Sequence, residues 1–254
     1  MTIFSKKKLT FKVGFIICGT QKGGTTALDY YLRLHNEICM AKKKEVHFFD
    51  EDKFFKIGSP NYSYYHSFFK PHQNHKIVGE ATPIYMYWEN TIKRIYHYNR
   101  NMKLIIVLRN PADRAFSHWN METHRKRENR SFWEAINEEI ENDAKTKKQH
   151  RTYSYVGRGF YSRQITEILK YFNKNQLLTI RNSNLRNDPN KILKKVTKFL
   201  SISDFTQIEH KEVHSTSYKT TLNNKENEFL YAIYKKEIQK LENILKWDLA
   251  SWKR

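Results

Sequence analysis

Cysteine is scarce in this chain, with Cys18 and Cys39 the only two among 254 residues. Cys18 ends the run Lys12–Cys18 (KVGFIIC) and Cys39 lies between Ile38 and Met40, so both read as small core residues. They supply neither a disulfide framework nor a zinc site. Long apolar stretches are also missing. The run Val13–Cys18 is too short for a signal segment or a membrane span, so a reducing, cytoplasmic setting is expected. Five prolines and eight glycines make no linker, and no repeat divides the chain, so one domain over residues 1–254 is expected. His66, His72, His75, His118 and His124 have no metal-ligand spacing; they read as surface or satisfied polar residues, and no metal is expected.

Acidic residues are few: 26 Asp and Glu face 46 Lys and Arg, a formal net charge of +20. Such an excess suits a polyanion, whether nucleic acid, acidic glycan, lipid surface or phosphorylated cofactor. It equally suits a composition heavy in Lys, Asn and Ile throughout. No nucleic-acid-binding signature accompanies the charge, so no specific nucleic-acid partner is expected.

What the chain does have is an alternation of strand and helix patterns. Lys12–Cys18 and Leu104–Leu108 (LIIVL) read as buried strands, Lys76–Gly79 and Leu177–Ile180 as further short ones. Helices are expected at Thr25–His35, from Pro111 through Trp119, at Phe132–Ala144 behind a Ser131/Glu134 capping box, and at Tyr161–Phe172. Asp188-Pro189 opens another, with Ile192, Leu193, Val196, Phe199 and Leu200 in one stripe; the last carries Leu230, Tyr234, Ile238, Leu241 and Leu245. The pattern predicts an α/β fold: a P-loop-like central parallel β-sheet flanked by helices on both faces. Ligands in such folds sit beyond the carboxyl ends of the strands.

Three motifs fall at such places. Gly19-Thr20-Gln21-Lys22-Gly23-Gly24-Thr25-Thr26 follows the first strand and opens a helix. Its glycines let backbone N–H groups close on an anion, Lys22 adds a full charge and the threonines add hydroxyl donors. Lys22 stands before the Gly-Gly pair rather than directly before Ser/Thr, so this is not a Walker A loop. In Lys44-Glu45-Val46-His47-Phe48-Phe49-Asp50, an extended backbone puts Glu45, His47 and Phe49 on one face. In Arg109–His118 (RNPADRAFSH), Arg109 leaves the end of the most buried strand, and Ser117 follows a little over two helical turns later. Arg114 is expected to brace this loop through an ion pair.

Together these motifs resemble the PAPS-dependent sulfotransferases, which use 3′-phosphoadenosine-5′-phosphosulfate (PAPS), and especially the heparan-sulfate N- and 3-O-sulfotransferase branch with its bacterial relatives. Gln21–Leu28 (QKGGTTAL) is similar to that family's 5′-phosphosulfate loop, Lys44–Asp50 (KEVHFFD) to its catalytic segment and Arg109–Ser117 (RNPADRAFS) to its 3′-phosphate site. The resemblance runs on to about Trp252. It implies the sulfotransferase fold, with Lys22, Gly23, Gly24, Thr25 and Thr26 on the 5′-phosphosulfate and Arg109 and Ser117 on the 3′-phosphate. It also implies Glu45 as general base with His47 beside it, the latter being the alternative base. Lys219, in the segment Ser215–Lys219, matches the loop that closes the 3′-phosphate site. The glycan enzymes carry a Lys after Glu in a Glu-Lys-Thr/Ser motif; here Ala81 stands in Glu80-Ala81-Thr82-Pro83. Their late disulfide loop and Golgi anchor have no match either, which points to a cytoplasmic enzyme with another acceptor.

The implied reaction is direct, in-line, metal-free sulfuryl transfer to a hydroxyl, or an amine, of a small-molecule or saccharide acceptor, leaving 3′-phosphoadenosine-5′-phosphate (PAP). Tyr62, Tyr64, Tyr65, Phe68, Phe69, Tyr85, Tyr87 and Trp88 read first as core and second as walls for that acceptor. A P-loop nucleotide kinase and a basic nucleic-acid-binding protein are the alternative readings.

Overall fold

The apolar run ahead of the glycine-rich loop forms β1 (Phe15–Gly19), every residue of which is buried. The computed structural model describes residues 11–56, 60–146, 148–205 and 221–253. After β1 come α1 (Thr25–Arg33), β2 (Ile38–Met40), the short α2 (Tyr62–His66), β3 (Ile77–Ala81), α3 (Thr91–Tyr98) and β4 (Lys103–Leu108). The chain continues through α4 (Pro111–His124), α5 (Phe132–Thr146), α6 (Tyr161–Leu169), β5 (Leu177–Arg181), α7 (Asn182–Asn187), α8 (Pro189–Leu200) and α9 (Asn224–Leu245).

The five strands form one parallel sheet in the order β2-β3-β1-β4-β5. From β1 the chain turns toward β2 and β3; from β4 it turns the other way, toward β5. The crevice between the carboxyl ends of β1 and β4 is therefore the topological switch point, where α/β sheets bind ligands.

Alternation along the strands supplies two cores. Phe15, Ile17, Ile105, Val107 and Ile180 face Leu28 and Leu32 of α1, Leu185 of α7 and Leu193 and Val196 of α8. Ile16, Cys18, Leu104, Ile106 and Leu108 face the opposite cluster, with Ile95 of α3, Ala115 of α4, Ile165 of α6 and Tyr234 of α9. Helices thus cover both faces, as the alternating pattern predicts.

Two expected caps are present. Ser131 N–H donates to Glu134 Oε2 at 2.8 Å while Glu134 N–H donates to Ser131 Oγ at 3.2 Å, and Lys191 N–H donates to Asp188 Oδ1 at 3.0 Å. The first strand begins later than its apolar run, at Phe15, because Val13 N–H donates to Tyr98 Oη instead of joining the ladder. β2, α2, α3 and α7 are additions to the elements read from the sequence. Of the aromatic residues expected as core, Tyr65, Phe69 and Tyr85 are buried, Tyr62, Phe68 and Trp88 pack partly buried against them, and Tyr64 is exposed; Phe48 packs between Tyr65 at 4.9 Å and Phe54 at 5.0 Å.

β4 joins the two cores, and truncating Ile106, fully buried in it, is expected to lower stability by about 2–5 kcal/mol. Chemical denaturation of Ile106→Ala checks this. A loss well under 1 kcal/mol would contradict the packing described.

Candidate active site

The loop between β1 and α1 is pressed onto the end of β4. Thr20 N–H donates to the Val107 carbonyl at 3.2 Å, and Gly23 N–H donates to the Thr20 carbonyl at 2.8 Å. A Cβ on Gly23 would run into the Val107 carbonyl oxygen, and one on Gly24, the αL residue at φ 105° that caps α1, would meet the Asn182 amide. Both positions require glycine, one for close approach and one for its backbone. Asn182 Nδ2 donates to the Gly23 carbonyl at 2.8 Å and fixes the turn from the β5 side. The loop leads into the N-terminus of α1, where Thr25 and Thr26 stand first.

Cations converge here. Burial lowers the Lys22 pKa, and Arg109, Arg125 and Lys44 lower it further by repulsion; Glu122 opposes them only weakly. Lys22 and Arg109 therefore share the β1/β4 edge. Arg109 is 30% exposed and its nearest acid is Asp113, with Nε to Oδ2 at 3.7 Å. Eight residues on, Ser117 is buried in α4. Arg109, Arg125 and Lys44 each have a carboxylate partner, in Asp113, Glu122 at 3.0 Å and Glu45, but Lys22 adds a further positive charge beside the glycine loop, and the cationic excess suits an anion.

The segment Lys44–Asp50 crosses the same edge as a loop, not a strand. Glu45 and His47 are left-handed, at φ 61° and 56°, conformations that cost non-glycine residues about 1–3 kcal/mol each and gather at functional sites. The two side chains still meet, as an extended backbone would also have required, but Phe49 turns away into the core. His47 Nε2 lies 3.6 Å from Glu45 Oε2, His47 Nδ1 lies 2.9 Å from Asp50 Oδ2, and Lys44 Nζ donates to Glu45 Oε1 at 2.7 Å. Glu45 and His47 are 40% and 36% exposed and can be reached from solvent, whereas the Asp50 side chain is fully buried.

This carboxylate–imidazole–carboxylate row sets the charges. The hydrogen bond from His47 to Asp50 first, and then the Glu45 carboxylate close by, outweigh burial and raise the imidazole pKa to about 9. Burial raises the Glu45 carboxyl, yet the neighbouring His47 ring and the charge and hydrogen bond of Lys44 dominate together and hold it near 2. At neutral pH Glu45 is thus the member of the exposed pair with a free lone pair, and His47 is an imidazolium between two carboxylates.

Several residues of the site carry no sequence signal of their own. Asp50 ends the quoted segment, three residues after His47, but only the fold shows that it holds the ring. Arg151, 101 residues away, donates to Asp50 Oδ2 at 2.5 Å and to the Asp50 carbonyl at 2.6 Å, and lies over Trp88 at 4.4 Å. Arg158, buried beside Tyr87, donates to Gln21 Oε1 in the anion loop. The stretch from Arg151 to Arg158 therefore ties both halves of the site.

Two expectations are corrected. Arg114 is fully buried and donates to the Tyr155 carbonyl; among the described residues it forms no ion pair, and its Nε and Nη1 have no hydrogen-bond partner. His118 is neither at the surface nor satisfied: it is fully buried, neither ring nitrogen is hydrogen-bonded, and Glu122 is 3.9 Å away. Burial, with Arg158, Arg114 and Lys22 adding to it, holds its pKa well below the ordinary histidine value, so it is neutral. Lys219 and the segment Ser215–Lys219 lie outside the described residues. Among the described residues, no group of three or more His, Cys, Asp or Glu is placed to hold a metal ion, and no helix is long and apolar enough to cross a membrane.

Comparison with known proteins gives a concordant result. A family model described as "Sulfotransferase domain" matches residues 13–254. Human heparan sulfate glucosamine 3-O-sulfotransferase 5 is 33% identical over 188 residues, covering 74% of this chain and 53% of that protein. The membrane-associated sulfotransferase kil1 of Dictyostelium discoideum is 36% identical over 124 residues, 49% of this chain and 26% of that protein. The chain thus spans about half, or less, of the length of these curated relatives. The crystal structure of a sulfotransferase from Alicyclobacillus acidocaldarius matches with a TM-score of 0.81 at 28% identity, over 96% of this chain and 100% of that one.

The raised His47 pKa makes a linkage prediction. Its stabilisation is fully present below the unfolded value of 6.5 and is lost as pH rises through about 9. Melting temperatures of wild type and His47→Gln are expected to differ most near pH 6 and to converge above pH 9. A difference that stays constant or grows with pH would contradict the His47–Asp50 pairing.

Proposed function

The chain belongs to the sulfotransferase family, and from that membership we propose that it transfers a sulfuryl group in line from PAPS to a hydroxyl, or an amine, of a small-molecule or saccharide acceptor, within a single domain in a cytoplasmic setting. The observation that carries this reading is the meeting of Lys22, Arg109, Arg125 and Lys44 at one strand edge beside the Glu45 carboxylate.

The residues fit the nucleotide. Gly23 and Gly24 let the loop pack onto Val107 and Asn182 where a Cβ would collide, and this loop with Thr25, Thr26 and Lys22 would hold the 5′-phosphosulfate. Arg109 and Ser117 would hold the 3′-phosphate, with Lys219 closing over it. PAPS supplies a sulfuryl group already activated by a phosphate leaving group. Lys22, kept close to other cations in a half-buried loop, offsets negative charge growing on the leaving oxygen. Glu45 accepts the acceptor's proton, while His47, anchored by Asp50 and Arg151, aligns the carboxylate and stabilises its charge. An imidazolium has no lone pair for this step, which supports Glu45 over His47 as base. Two buried free cysteines suit a reducing compartment. The relative acting on heparan sulfate glucosamine supports a saccharide acceptor, and Ala81, where the glycan enzymes carry a lysine, supports a different grip on it.

Two experiments test the reading. With PAPS and a panel of hydroxylated small molecules and desulfated heparan oligosaccharides, mass spectrometry should find one acceptor gaining a sulfate-sized mass, and Glu45→Gln should lower its turnover by about 10²-fold or more with PAP binding little changed. Near-normal turnover would remove Glu45 from the role. In calorimetric titrations, Arg109→Ala should weaken PAP far more than adenosine 5′-phosphate; equal losses would reject the 3′-phosphate assignment.

A further inference from the structure

Glu80 lies near the carboxyl end of β3, fully buried, yet its hydrogen-bond partners among the described residues are hydroxyls and not cations. Tyr65 Oη donates to Glu80 Oε1 at 2.7 Å, Thr82 Oγ1 to Oε2 at 2.6 Å and Tyr85 Oη to Oε1 at 3.4 Å. Burial foremost, with the charge of Asp50 adding to it, raises its pKa to about 7 despite these hydrogen bonds. Tyr98 of α3 faces the same group. A carboxyl in such surroundings is unfavourable unless its hydrogen bonds are used.

Those bonds lead to the catalytic segment. Thr82 Oγ1 accepts Val46 N–H at 3.0 Å, and Tyr85 Oη accepts Phe48 N–H at 2.9 Å and Phe49 N–H at 3.4 Å. A hydroxyl that gives its hydrogen to a carboxylate keeps its lone pairs for N–H donors. Val46 stands between Glu45 and His47, the two left-handed residues, and such backbone persists only where its surroundings over-determine it. Glu45 N–H also donates to the Ala81 carbonyl at 2.9 Å, at the end of β3.

The geometry points to Glu80 as a positioning residue for sulfuryl transfer: it turns the Thr82 and Tyr85 hydroxyls so that they pin the backbone holding Glu45 against His47. This inference rests on the proposed role of Glu45. It is a role through other residues, since Glu80 itself touches neither Glu45 nor His47 by any hydrogen bond.

The test uses the full chain labelled with ¹⁵N-histidine. Thr82→Val removes the hydroxyl, Thr82→Ser keeps it, and Glu80→Gln sets an NH₂ against one of the hydroxyls. In Thr82→Val and Glu80→Gln the His47 titration midpoint should fall from about 9 toward 6.5. PAPS turnover, with water or a desulfated heparan oligosaccharide as acceptor, should fall by about 10- to 100-fold with PAP affinity within about twofold. Thr82→Ser should restore both. An unchanged His47 midpoint in folded Thr82→Val overturns the inference, whatever happens to turnover. A lowered midpoint with undiminished turnover upholds the positioning and instead removes Glu45 from its role. Should Glu80→Gln fail to fold, the Thr82 pair decides the question alone.

Discussion

The contact between the loop after β1 and the carboxyl end of β4 constrains the rest of the site. Gly23 sits so close to the Val107 carbonyl that no side chain fits there, and Thr20 N–H bonds that same carbonyl. Because the strands are parallel neighbours at the point where the chain reverses its winding, the two loops leave the sheet in one direction. Lys22 and Arg109 are then neighbours although they stand 87 positions apart in the chain, and like charges are held together that water would otherwise let drift apart. That unfavourable arrangement is what an anion relieves.

The second half of the site solves a different problem. A carboxylate with the role proposed for Glu45 must be exposed to its acceptor and still be held in place. Glu45 is exposed, but its backbone is left-handed and fastened to β3, and its neighbour His47 is fastened to the buried Asp50. Arg151 completes that anchor from a distant part of the chain. The fold puts these polar interactions behind Glu45 and His47, on the buried Asp50.

Long or sharply punctuated patterns were legible in the sequence. The LIIVL strand, the Gly-rich loop, the Ser131/Glu134 and Asp188 caps, and the stripes of the last two helices have periods or capping residues that specify them locally. β2 has three residues and α2 five, too few for any period to show. Glu45 and His47 were legible as a pair, though by way of an extended backbone they do not adopt. Arg151 and Arg158 were not, because nothing near them in sequence marks which of 46 basic residues will reach the site. His118 was misread for a related reason: polarity signals the surface only on average, and α4 packs polar side chains against the core; Arg114 was read as a brace, and its partner is a backbone carbonyl that no local pattern marks.

The claim on which the account stands is that one bisphosphorylated adenosine spans the crevice between β1 and β4. A crystal structure of the protein with PAP measures this directly. The account predicts the 5′-phosphate on the backbone N–H groups between Lys22 and Thr26 and the 3′-phosphate within hydrogen-bonding reach of Arg109. A nucleotide bound with only one phosphate at this edge, or bound elsewhere on the molecule, would contradict it.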